Sequence, residues 1–175
     1  LTEITLIDAD LSNAIFDGAN LSGAVLTNVH LDGADLSNVN LSESNLTNVN
    51  LSGMDLSNAN LSKSILFDVD LRGANLSNVN LNSAIMVDAI LTNANLENAD
   101  LRNILFHDTS WDATILKNVN LSDSNLSYLD LSKKFLKGAN LERANLVGSD
   151  LTEITLIDAD LSNAIFDGAN LSGAV

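Results

Sequence analysis

The sequence predicts an all-β solenoid, in which the chain turns a corner every five residues and winds into a square tube. Three observations predict this fold. Every fifth residue from Leu1 to Leu171 is apolar, and 30 of these 35 residues are Leu. Two positions before each stands a mostly small residue, such as Ala9 or Val39. Directly before the apolar residue, 21 of the 35 positions are Asn or Asp, which suit tight corners.

The five-residue period excludes the commoner elements. In an α-helix a step of five residues rotates by about 140°, so the Leu row would wind around the whole surface. In a flat strand an odd period sends successive Leu side chains to opposite faces. Four five-residue sides close a square with every Leu inside. We therefore expect one domain, 1–175, of roughly 8–9 coils stacked about 4.8 Å apart.

Stretches such as "ADLSN", "GANLS" and "NVNLS" resemble the pentapeptide-repeat family along the whole chain. This resemblance implies a right-handed quadrilateral parallel β-helix. It is specific for the fold and says little about function, because one fold hosts many functions.

Composition and motifs favour a protein that is not an enzyme. Eight basic residues against 23 acidic ones give a net charge of −15, which argues against binding nucleic acid or anionic lipid. There is no cysteine, and no apolar run approaches the roughly 20 residues of a membrane span. His30 and His107 are expected on different sides, and Arg72 follows Asp68 and Asp70 where a calcium loop needs a third oxygen ligand. We expect no catalytic residue, cofactor, metal, small-molecule ligand or membrane insertion.

One side of the predicted tube carries outward-facing apolar residues, and these form the candidate lateral interface. They are Val25, Ile65, Phe67, Ile85, Val87 and Leu105, with Ile15, Ile115 and Phe135 on the opposite side. Exposed apolar patches on a soluble protein often mark contact surfaces. The alternative is that β-branched residues simply suit strands.

Three residues break the repeat inside the tube. Phe106 and Trp111 occupy consecutive Leu positions, which predicts a local shift of their neighbours rather than a ligand cavity. Lys134 takes a small inward position and must reach solvent or force a bulge, because an unpaired buried ammonium is costly. We expect a local distortion at 133–135.

Residues 151–175 repeat residues 1–25 at every position, at a spacing of 150 residues. The five-residue register is unbroken across this interval. The sequence is therefore interpreted as a window of a tandem array of 150-residue units, with ordinary repeats rather than caps at both ends. Since 150 residues make seven and a half coils, each unit would begin on the side of the tube opposite to that on which the preceding unit begins.

Two functions remain open from the sequence. The first is a structural segment of a filament, sheath or surface assembly, which self-associates end to end and laterally; an extracellular or cell-surface location suits it better than a cytoplasmic one. The second is implied by the resemblance: some members of the family are acidic DNA mimics that protect DNA gyrase. The charge of −15 fits that role, while the absence of projecting loops and of rows of acidic residues weakens it.

Overall fold

The computed structural model describes all 175 residues as one continuous stack of parallel coils. Parallel bridges join residues 20 apart along the chain, from Thr5 with Val25 to Asp150 with Asn170. Two segments are long enough to be strands: β1 (Ile85–Val87) pairs in parallel with β2 (Leu105–His107). The predicted coil of four five-residue sides is confirmed. No helix long and apolar enough to cross a membrane is present.

A left-handed backbone residue makes each corner. All 35 residues that lie two places after the Leu row have positive φ angles, between 48° and 74°. Nine of the 35 are Gly and 17 are Asn or Asp, the residue types that adopt this conformation at least cost. In most corners the next N–H donates back to the Leu-row carbonyl, as Ala24 does to Leu21 at 3.1 Å. A β-turn with positive φ at its third residue corresponds to type II.

The Asn and Asp residues before the Leu row support each corner from outside. Each of these side chains accepts a hydrogen bond on Oδ1 from the backbone N–H two positions later, at 2.9–3.3 Å. This N–H belongs to the first corner residue, which no neighbouring coil pairs. The side chain therefore satisfies a donor that the coil geometry leaves free.

The core is a narrow column of stacked side chains along the tube axis. From Phe16 to Leu151 every member of the Leu row is buried, and small residues such as Ala24 and Val69 fill the space beside it. Burial of each Leu contributes about 1.5–3 kcal/mol before chain entropy is counted. Where the small position is Ser, the hydroxyl donates to a Leu-row carbonyl, as Ser44 does to Leu41 at 2.6 Å.

The ladder between coils is open at two places. No backbone hydrogen bond or bridge joins residues 30–36 to residues 50–55, or residues 109–116 to residues 130–135. In both openings the later coil carries a long unbranched side chain at the small position of the same side, Met54 or Lys134. The corresponding residues of the other coils are Ala14, Ala34, Ala74, Ala94, Thr114, Ile154 and Ala174. We infer that a chain too long for this space holds the coils apart.

Acid should weaken the corners that contain Asp. The hydroxyl and backbone N–H of Ser12 lower the pKa of Asp10, and Ser37 and Ser162 do the same for Asp35 and Asp160. A lowered folded-state pKa gives stability that is present above the unfolded pKa of about 4 and is lost as pH falls through the folded value.

The matched variant replaces Asp10, Asp35 and Asp160 with Asn, which keeps the acceptor oxygen and removes the titration. Thermal unfolding should give equal Tm values for the two proteins at pH 7. At pH 3 the variant should unfold at a higher temperature than the parent chain. A Tm difference independent of pH would contradict the role given to these carboxylates.

Candidate interaction surface

The apolar residues of the candidate interface stack in register because every coil has the same number of residues. Ile65, Ile85 and Leu105 lie in one column, joined by consecutive parallel bridges. Strands β1 and β2 form the upper part of this column, and their central residues, Met86 and Phe106, point into the core.

A second column runs beside the first on the same side of the tube. Phe67, Val87 and His107 occupy it, with 38% of Phe67 exposed, and Leu105 of the first column is 45% exposed. Val25 shares the first column but is separated from Ile65 by Asn45. The structure therefore brings together five of the six residues predicted on this side and leaves Val25 apart.

A row of carboxylates that sequence analysis missed borders these columns. Asp68, Asp88 and Asp108 are exposed corner residues at φ angles of 52°, 56° and 48°, one coil apart. Backbone hydrogen bonds from Asp68 to Val87 and from Asp88 to His107 hold this register. The regular spacing of one coil between these Asp residues was the available signal, so the expectation that acidic residues form no row is wrong at this corner. We call the five apolar residues and these three Asp residues the acidic face.

The opposite side carries a smaller apolar area. Ile115 and Phe135 occupy the same position on successive coils, and about half of each side chain is exposed. Ile15 lies in the same column as Ile115 but five coils away. Asn95, which bridges Ile115, is the nearest member of this column on the side of Ile15. Lys117 and Lys137 stand two residues after Ile115 and Phe135, and Lys133 makes the preceding corner. We call Ile115, Phe135 and these three Lys residues the lysine face.

The irregular core residues surround the wider opening of the ladder. Phe106 and Trp111 meet at their edges, with ring centroids 4.4 Å apart and an angle of 65° between the rings. Both are buried in one coil, and the Nε1 of Trp111 has no hydrogen-bond partner. The ladder is also weakened on a third side, where Leu105 and Asn125 still form a parallel bridge but the N–H groups of Phe106 and Asn125 donate no close hydrogen bond. Two aromatic rings in Leu positions add bulk that this coil cannot absorb.

Lys134 lies at the rim of this opening. Its side chain is 13% exposed, and its Nζ is 4.0 Å from Oδ1 of Asp112. The turn at 131–135 is regular, with the Lys134 N–H donating to Leu131 at 3.3 Å and a φ of 58° at Lys133. The chain therefore does not bulge at 133–135, and the distortion expected there lies between neighbouring coils. The distortion is a cleft of about 610 Å³ between coils, lined by residues 109–114, 130 and 132–135.

The remaining polar groups do not converge. His30 bridges Asp10 on one side of the tube, whereas His107 lies on the acidic face with Nε2 at 3.3 Å from Oδ2 of Asp108. No group of three or more His, Asp or Glu side chains is arranged to hold a metal ion.

A family model for pentapeptide repeats matches the chain in eight copies. The matched ranges are 5–43, 26–62, 34–73, 64–103 and 136–173, and several of them overlap. These matches cover well over half of the chain. No curated protein sequence matches it.

Among solved structures, the chain is similar to HetL, a pentapeptide repeat protein involved in heterocyst differentiation regulation from the cyanobacterium Nostoc sp. strain PCC 7120. The identity is 29% and the TM-score 0.83, over 99% of this chain and 87% of HetL. A trypsin-treated form of QnrB1, a plasmid-mediated fluoroquinolone resistance protein, aligns at 18% identity and a TM-score of 0.48, over 99% of this chain and 89% of QnrB1.

Replacing Lys134 with Ala should close the cleft, because Ala fills this position in five of the eight other coils. Backbone hydrogen bonds between 109–116 and 130–135 would then form, each worth about 0.5–1.5 kcal/mol net. We expect Tm to rise by about 3 °C or more, and the Leu116 and Phe135 amides to become protected from hydrogen exchange.

The control is Lys133→Ala, which removes the same charge from an exposed corner and leaves the cleft open. A lower Tm for Lys134→Ala, or amides that exchange as in the parent chain, would show that Lys134 does not hold the coils apart.

Proposed function

Because this chain belongs to the pentapeptide repeat family and shares its right-handed quadrilateral β-helix, we propose that it is a non-enzymatic structural rod. In this proposal it is a repeating segment of a filament, sheath or surface assembly that grows by end-to-end continuation and lateral packing. The rod acts through its sides, where the partner is bound, and carries out no chemical reaction.

The observation that carries this proposal is the stacking of apolar side chains on one side of the rod. Ile65, Ile85 and Leu105 form one column, and Phe67 and Val87 form the next. Leu105 and Phe67 leave 45% and 38% of their surfaces exposed, while most other outward positions carry Asn, Asp or Ser. A contiguous apolar area on a polar rod is favourable to cover.

Residues 151–175 are identical to residues 1–25, and this repeat supports the proposal that the chain is part of a tandem array of 150-residue units. Ile15 and Ile165 are equivalent in the repeat, yet Ile165 lies in the column of Asn125 and Asn145, and Ile15 lies in the column of Asp35 on the opposite side. A tandem array of such units would thus present its apolar areas alternately to both sides. Such an arrangement suits lateral packing of long rods.

The likeness to HetL favours a regulatory role as one form of this proposal. HetL is described as involved in regulation, and a rod of this fold reaches other molecules through its outer surface. A regulatory role would use the same apolar side, with a different protein as the partner.

The second candidate is an acidic DNA mimic that protects a topoisomerase, which the net charge of −15 favours. The acidic row holds three residues beside an apolar surface, whereas a mimic of duplex DNA needs charge along both backbones. Protection of DNA gyrase from an inhibitor in a supercoiling assay would establish the second candidate, and its absence favours the first.

Sedimentation velocity over a concentration series tests the proposed association. The parent chain should form larger species as concentration rises. Phe67→Ser combined with Leu105→Ser should weaken association at least tenfold, because removing two exposed apolar side chains costs more than about 1.4 kcal/mol at the contact.

The matched control is Ile90→Ser, which removes an isoleucine that is 37% exposed on a neighbouring side of the rod. It should associate as the parent chain does. A parent chain that stays monomeric at every concentration would contradict the proposed lateral packing.

A further inference from the structure

We propose that the acidic face of one copy docks on the lysine face of a second copy, so that neighbouring rods pack front to back. This inference rests on the proposed lateral association and identifies the two surfaces that meet. The two faces lie on opposite sides of the rod, half a coil apart.

The acidic face is free of positive charge. Its three columns, taken along the whole rod, contain no Lys or Arg: residues 5–165, 7–167 and 8–168, each in steps of 20. Asp68 and Asp88 have no ion-pair partner, and Asp108 contacts only His107. The face therefore presents a row of carboxylates along the edge of an apolar surface.

The lysine face concentrates the positive charge of the rod. Four of the eight basic residues lie within 117–137, on the lysine face and at its rim. Lys117 is 46% exposed beside Glu97 at 2.7 Å, and Lys137 is 47% exposed with Asp158 at 3.9 Å. Exposed pairs of this kind contribute little, so these lysines remain available to a partner. Lys133 takes part in none of the ion pairs within the chain.

Charge decides between the possible contacts. Two acidic faces in contact would place both Asp rows in one interface, in a protein that already carries −15, and two lysine faces would place all their Lys residues in one interface. Like charges across a contact cost several kcal/mol, whereas opposite charges orient the partners. Only the front-to-back contact covers apolar surface on both partners while it pairs Asp with Lys.

The front-to-back contact joins different surfaces, so one copy keeps a free lysine face, the other keeps a free acidic face, and the pair has one free face of each kind. Contacts of this type extend without closing. The acidic face centres on Ile85 and the lysine face on residues 115–137, about two coils further along. Parallel rods would therefore be staggered by about 10 Å.

A mixing experiment tests the inference. The first variant, Asp88→Lys with Leu105→Ser, loses the acidic face and keeps the lysine face. The second, Phe135→Ser with Lys137→Glu, loses the lysine face and keeps the acidic face. Each alone should associate at least tenfold more weakly than the parent chain. Their equimolar mixture should form 1:1 dimers that do not extend, at an affinity within about threefold of the parent contact.

The outcomes separate this inference from the proposed function. If the parent chain assembles but the mixture stays monomeric, or if the second variant alone assembles normally, the front-to-back contact is wrong while lateral packing stands. If the parent chain itself is monomeric, both proposals fail. Circular dichroism and Tm confirm that each variant folds. If Asp88→Lys unfolds the first variant, Asp68→Lys takes its place, and if Lys137→Glu unfolds the second variant, Lys117→Glu takes its place. The same dimer is expected on mixing.

Discussion

The whole structure depends on one backbone constraint: the left-handed residue that turns the chain at every fifth position. All 35 of these residues have positive φ, and the Leu row can face one interior only because the chain bends there. Gly, Asn and Asp occupy 26 of the 35 positions and adopt this conformation at least cost. The Asn or Asp before the Leu row adds a side-chain acceptor for the free N–H of the corner. Local sequence and global fold thus favour the same geometry at each corner.

The same constraint fixes the register between coils, and this register determines which side chains are neighbours on the surface. Four corners per coil place residues 20 apart in one column, which turns a sequence spacing into a row of side chains. Three ion pairs also join residues 20 apart, among them Lys63 with Glu43 at 3.1 Å and Lys117 with Glu97 at 2.7 Å. The acidic face and the lysine face are columns of this kind. In such a rod the columns of outward side chains, rather than a pocket, form the surface that a partner would contact.

Much of the fold could be predicted from the sequence because each local signal recurs in every five-residue unit. The Leu row, the coil of four sides and the sided apolar columns all follow from period and residue type. The openings between coils could not be located in this way. Met54 looked ordinary because it is apolar, although it is too long for its position. Lys134 was expected to distort the chain at 133–135, but its own turn is regular and the hydrogen bonds between its coil and the preceding coil are missing instead. The acidic row was missed because Asp68, Asp88 and Asp108 lie at corner positions, two places after the Leu row, whereas the sides were compared by the residues that directly flank the Leu row.

Disulfide formation between engineered cysteines tests the central register most directly, because the chain has no cysteine of its own. Asn60 and Asn80 bridge neighbouring coils, so their Cα atoms lie at about the strand spacing, within the range that a disulfide requires. The account predicts that Asn60→Cys with Asn80→Cys oxidises readily within one chain. Asn60→Cys with Asn75→Cys, whose residues lie on neighbouring sides, should remain reduced. Equal oxidation of both pairs, or oxidation of the second pair alone, would contradict a coil of four five-residue sides.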